Sequence, residues 1–172
     1  MTAFGVDGFN IDDRCAQILG SYRAIPRHVR RAVAKECERF VQSHIETGHS
    51  FAVETTLRTK VAIDQARLAR ACGFATEMIF VATDSIVENI ARIVQRAQGG
   101  GHGASEREVR AIHEASLANL SAAIDAFERV DVYDSTAPWS TPRLVATSHD
   151  GRIDRLGISP SWLGKALLMP ES

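Results

Sequence analysis

The 172-residue chain has no apolar stretch approaching the ~20 residues that a bilayer-spanning helix needs, so it offers no candidate membrane span. Its N-terminus lacks a positively charged segment followed by an apolar run, so it does not read as a secretion signal. A charge bias is also missing: the formal net charge is −1, which gives no electrostatic case for nucleic acid or an anionic membrane as partner. Cysteine is scarce. Cys15, Cys37 and Cys72 are odd in number, widely spaced and set in helix-like segments. That pattern fits small, reduced core residues of a cytoplasmic protein and argues against a disulfide frame or a metal knuckle.

What is present is ordinary for a globular domain: 45% apolar and 24% charged residues, in a chain long enough to bury a real core. Pro26 suits the first turn of a helix running to about Thr47, with Val29, Val33, Cys37, Phe40, Val41, His44 and Ile45 as its buried stripe and Gly48 at its end. Phe51 to Thr56 reads as a short buried strand. Lys60 to Cys72 reads as a helix, with Val61, Leu68, Ala69 and Cys72 inward and Gly73 closing it. Ala75 to Ala82 is apolar enough for a strand covered on both faces, and Ile86 to Gln98 continues as a helix. Ser105 and Glu108 have capping-box spacing and open a long helix to about Arg129, striped by Val109, Ile112, Leu117, Leu120, Ile124 and Phe127. Val130 to Tyr133 and Arg143 to Thr147 are further strands, and a short helix forms from Ser159. Strands alternating with such helices predict one α/β domain over residues 1–172, with a mainly parallel sheet flanked by helices.

Ligands of such sheets gather beyond the carboxyl ends of the strands. Three polar strand ends fall there: Glu54-Thr55-Thr56, Thr83-Asp84-Ser85 and Tyr133-Asp134-Ser135. The second and third have the composition of helix caps and turns. Glu54 differs, because a carboxylate closing an apolar strand is costly unless paired or bound. Arg92 and Arg96, four residues apart, share a helix face ahead of the loop Gly99-Gly-Gly-His-Gly103. His102 has no metal-spaced partner, so no metal site is expected. The basic residues Arg23, Arg27, Arg30 and Arg31 have only Tyr22 as an aromatic neighbour, too little for a nucleic-acid platform.

An acid, hydroxyls and arginines of this kind belong to phosphoryl transfer, yet no G-x-x-x-x-G-K-[ST] loop occurs in the chain. Taken in order, Asn10-Ile-Asp12, Glu54-Thr55-Thr56-Leu57, Arg92-Ile-Val-Gln-Arg96 with Gly100-Gly101-His102, Ser116-Leu-Ala-Asn-Leu120 and Val132-Tyr-Asp-Ser135 resemble the zeta-toxin family of P-loop kinases, over about residues 9 to 153. The resemblance implies a P-loop kinase-like fold and transfer of the ATP γ-phosphoryl, with Mg2+, to a hydroxyl of a UDP-amino sugar. It implies Asp12 as the base that takes the hydroxyl proton, Asp13 being the adjacent candidate. Glu54, Thr56 and Arg58 would bind the acceptor. Arg92 would stabilise charge on the transferred group, with Arg96 and His102 at the phosphates. An antitoxin protein is the partner such a chain implies.

This chain departs from the family pattern in ways that bear on activity. The resemblance starts at Asn10-Ile-Asp12, so the first strand, phosphate loop and following helix are expected to be missing, an N-terminal truncation. Ile112-His-Glu-Ala115 also replaces a segment in which relatives carry arginines. One oxyanion-type donor can be worth ~3 kcal/mol and several are absent, so these residues alone should show negligible turnover. The missing strand would leave two sheet edges unpaired, which implies a homodimer, a separately supplied segment or a gene start placed too far downstream. A non-catalytic remnant or binding module of the same fold is the competing reading.

Overall fold

The computed structural model describes residues 6–84, 86, 90, 105–137 and 140–168. The chain divides into two compact units, Met1–Thr55 with Ile93–Ala104, and Thr56–Arg92 with Ser105–Ser172.

In the first unit, strand β1 (Asp7–Asn10) runs into helix α1 (Ile11–Leu19). Helix α2 (Arg27–Thr47) follows, then strand β2 (Phe51–Glu54). Asn10 caps α1 and Gly20, at φ 70, closes it. Pro26 stands as the N-cap of α2 and Gly48, at φ 71, ends it, as the sequence predicts. β1 and β2 pair in parallel, with Asp7 opposite Phe51 and Asn10 opposite Glu54. One face of this pair rests on α2 through an aromatic cluster: Phe40 meets Phe9 at 5.3 Å and Phe51 at 6.1 Å between ring centroids, and His44 stacks on Phe40 at 4.1 Å. Val33, Cys37, Val41 and Ile45 form the buried stripe of α2, and Cys15 and Ala16 are buried on α1.

The second unit contains helix α3 (Val61–Ala71), strand β3 (Glu77–Ala82), helices α4 (Glu106–Ala118) and α5 (Leu120–Ala126), strands β4 (Arg129–Asp134), β5 (Arg143–His149) and β6 (Arg152–Arg155), and helix α6 (Ser161–Leu168). The sheet order is β3-β4-β5-β6. Phe80, Val132 and Ala146 form one row across three strands and point into a core shared with Ile63, Leu120, Ile124, Trp162 and Leu163. Helix α5 is sunk in that core, with Leu120, Ala122, Ala123, Ile124 and Ala126 all buried. No helix among the described residues is long and apolar enough to cross a membrane.

Several expectations are corrected. The sheet is only partly parallel: β1–β2 and β3–β4 are parallel, but β4–β5 and β5–β6 are antiparallel. Residues 135–142 join β4 to β5, too short for the crossover of about a dozen residues that a parallel partner requires. β5 and β6 are joined by Asp150-Gly151, at φ 47 and 77, the two positive φ values of a type I′ hairpin. The strand expected over Phe51 to Thr56 ends at Glu54 and is not buried: Ala52 and Glu54 are exposed, because α2 covers only one face of a two-stranded pair. β3 is likewise covered on one face only, with Ile79 68% and Val81 52% exposed. In α3 the inward residues are Ile63, Ala66 and Ala69, whereas Val61, Leu68 and Cys72 face out. The long helix from Ser105 begins with the predicted capping box but breaks at Asn119 into α4 and α5. The helix expected over Ile86 to Gln98 lies outside the described residues except at Ile86 and Ile90, which are helical.

Candidate functional site

The carboxyl end of β1 makes a tight passage into α1, and Asn10 is its pivot. With φ −122 and ψ 120, Asn10 is still extended, so its side chain can turn back over the first helical turn. Its Oδ1 accepts from the backbone N–H groups of Asp12 at 2.8 Å and Asp13 at 3.1 Å. These are two of the donors that a helix start leaves unsatisfied. Asp12 and Asp13 in the first turn complement the positive end of the helix dipole. Directly across the parallel register, Glu54 accepts a hydrogen bond from Asn10 Nδ2. Asp12 and Glu54, 42 positions apart in sequence, are thereby tied to one asparagine at one strand end.

Each acid of this corner is engaged. Asp12 Oδ1 accepts from Arg30 Nη1 at 2.8 Å, with the Asp12 side chain 46% exposed. This ion pair fixes the carboxylate against α2 and leaves Oδ2 for another donor. Asp13 accepts from the Tyr22 hydroxyl at 2.9 Å, and that bond pushes the Tyr22 phenol above its ordinary 10.0. Beneath them Cys15 is fully buried. Desolvation raises its thiol above 9.0, opposed by Arg30 and assisted by Asp12. The Arg30 guanidinium thus holds the Asp12 carboxylate in one orientation.

In the second unit, Thr56 and Arg58 are exposed on either side of Leu57, which is 2% exposed and held at φ 54. A β-carbon in this left-handed region carries strain, so something must hold the backbone there. Asn119, itself 8% exposed, donates from Nδ2 to the Leu57 carbonyl at 2.9 Å. The helix break between α4 and α5 thus serves as the anchor of the turn that presents Thr56 and Arg58.

The other two polar strand ends behave as caps and turns. The N–H of Asp84 donates to Thr136 Oγ1 at 2.8 Å, and the Thr136 hydroxyl donates to Asp134 at 2.6 Å. Asp134 also accepts from Trp162 Nε1 at 3.1 Å, and Ser161 donates to Asp84 at 2.8 Å, tying α6 to the ends of β3 and β4. His113 Nε2 donates to the carbonyl of Thr83 at 3.0 Å. All of these bonds are used up within the fold.

Arg92, Arg96 and His102 lie outside the described residues. Among the described residues no three His, Cys, Asp or Glu side chains are grouped to hold a metal ion. Sequence reasoning singled out Asp12 and Glu54 but not the two residues that hold them. An asparagine followed by two acids at 12 and 13 is a helix-start signature, so Asn10 was readable as a cap, whereas Arg30, 18 residues from Asp12, gave no local signal.

No protein-family model matches the chain, and no curated protein does. Among solved structures the chain is similar to one from the PezAT chromosomal toxin–antitoxin system of the human pathogen Streptococcus pneumoniae, with a TM-score of 0.53 and 16% identity. The likeness covers 76% of this chain and 58% of that one, so this chain spans less than two thirds of its neighbour's length. At that identity the likeness establishes a shared fold, that of a component of a toxin–antitoxin system.

Proposed function

We propose that the chain is part of a zeta-toxin-like kinase domain, which transfers the ATP γ-phosphoryl, with Mg2+, to a hydroxyl of a small acceptor such as a UDP-amino sugar. The observation that carries this reading is the corner at the end of β1, where Asp12 and Glu54 converge on Asn10. The shared fold with a component of a toxin–antitoxin system supports it. In this reading the acceptor oxygen attacks the γ-phosphorus, the bond to the ADP oxygen breaks, and the hydroxyl proton passes to Asp12. Glu54 and Thr56 bind the acceptor's sugar, Arg58 reaches its phosphates, and Arg92, Arg96 and His102 neutralise the transferred group. The 172-residue sequence contains no G-x-x-x-x-G-K-[ST] loop, so in this reading these residues alone are expected to turn over negligibly. An antitoxin protein, or a second copy along β3, the terminal strand of its sheet, belongs to the same reading, as does a cytoplasmic location.

The deciding measurement is phosphorylation of UDP-N-acetylglucosamine by the chain extended through the codons upstream of Met1. Activity that falls about 100-fold or more in Asp12→Asn is the expected result. Turnover indifferent to that change removes Asp12 from the chemistry. An upstream frame without a G-x-x-x-x-G-K-[ST] loop, together with no ATP affinity by calorimetry, leaves the non-catalytic binding module instead.

A further inference from the structure

We infer that Asn10 is a positioning residue that sets the Glu54 carboxylate against the first turn of α1, so that the acceptor-binding acid and the Asp12 backbone are held by one neutral side chain. The inference rests on the proposed reading for what Glu54 does, but the geometry stands apart from it. Backbone N–H groups only donate, so the atom of Asn10 that faces Asp12 N and Asp13 N has to be the oxygen. That fixes the amide's orientation, and the atom left facing Glu54 Oε2 is then the donor Nδ2. The parallel register places Asn10 and Glu54 directly opposite one another, so the bond needs no reach from a long side chain.

Asparagine meets both demands with two separate atoms, one acceptor and one donor. Aspartate would cap α1 equally well, but would set a second carboxylate against Glu54 with no proton to share. Serine or threonine would cap, and its hydroxyl could donate as well, as Ser105 does at the start of α4, but from a shorter side chain than the amide. Alanine would lose both bonds. A merely structural cap therefore predicts that Asn10→Asp is harmless, whereas a positioning role predicts that it releases Glu54 while α1 stays formed.

The test uses the isotopically labelled protein and its Asn10 side-chain amide signals in NMR. Glu54→Ala should shift those signals, and Glu54→Gln, whose amide oxygen still accepts, should return them towards the parent position. Asn10→Asp should keep the Asp12 and Asp13 backbone signals at helical positions. UDP-N-acetylglucosamine, titrated into parent and variant, should bind about tenfold more weakly to Asn10→Asp at unchanged melting temperature, the loss of one hydrogen bond to a charged group. Asn10 signals that ignore Glu54→Ala overturn the inference, as does equal sugar-nucleotide binding by parent and Asn10→Asp. Should the sugar nucleotide fail to bind the parent, the proposed acceptor is wrong, while the amide signals still decide whether Asn10 holds Glu54.

Discussion

Cys37 sits on the buried side of α2, 5% exposed, and desolvation pushes its thiol from 9.0 up to about 11, with the charge of Glu38 adding to the effect. Because the folded value lies above the unfolded one, the stability contributed by the neutral thiol is intact below pH 9.0. It is lost as pH climbs through about 11, the unfolded chain releasing its proton first. Denaturant midpoints should therefore decline over that window, and Cys37→Ala should flatten part of the decline. Cys72 is exposed, and a thiol reagent should modify it in the folded protein well before Cys15 or Cys37. Cys15 and Cys37 are core residues, as the sequence reading expects, but the inward place expected for Cys72 is not found. Leu68, Ala69 and Ala71 before it point in different directions around α3, so periodicity alone cannot say which side is covered.

Elements whose punctuation is strong were legible. Pro26, Gly48 and a clean stripe define α2, and Ser105 with Glu108 define the start of α4. The phase of α3 was misread because Val61, Ala62, Ile63, Ala66, Leu68, Ala69 and Ala71 offer several stripes. The fold uses Ile63, Ala66 and Ala69, and the two alanines permit close packing on α5. The β5–β6 hairpin was missed although Asp150-Gly151 is a strong two-residue turn signal. That turn is bound twice: the Asp150 N–H donates to the Glu128 carbonyl at 2.8 Å, and Arg70 pairs with the Asp150 carboxylate at 2.8 Å. At Gly151 the φ is +77, and a β-carbon there would lie 3.2 Å from Asp125 Oδ1. Gly151→Ala should cost about 1–2 kcal/mol, read as a lower denaturation midpoint at unchanged slope.

At the scale of the whole molecule, the α/β class was readable from alternating strands and helices, but the balance of parallel and antiparallel pairing was not. It hangs on the lengths of two connections, which hydrophobic pattern does not report. Nor did composition reveal that β3 is covered on one side only, since Met78-Ile-Phe-Val81 is apolar throughout. Neighbours on that strand should respond oppositely. Phe80→Ala should cost about 3–5 kcal/mol by emptying the core row, whereas Ile79→Lys should leave thermal stability within about 0.5 kcal/mol. Equal losses from both in a melting experiment would show that the outer face of β3 is covered in solution. Of the two candidate acids, Glu54 was conspicuous as a carboxylate closing an apolar strand, whereas Asp12 entered only through the family resemblance. Their supports were not legible, because hydrogen-bond partners distant in sequence leave no periodic trace.

The bond from Asn119 to the Leu57 carbonyl spans 62 positions of sequence and fixes a backbone conformation that leucine rarely adopts unaided. Descendants of this gene that trade Thr56 or Arg58 for other side chains would inherit the same presentation, whereas one that alters Asn119 would reshape the turn without touching it. Divergence in the displayed side chains and divergence in the scaffold that displays them are in that sense written at separate codons.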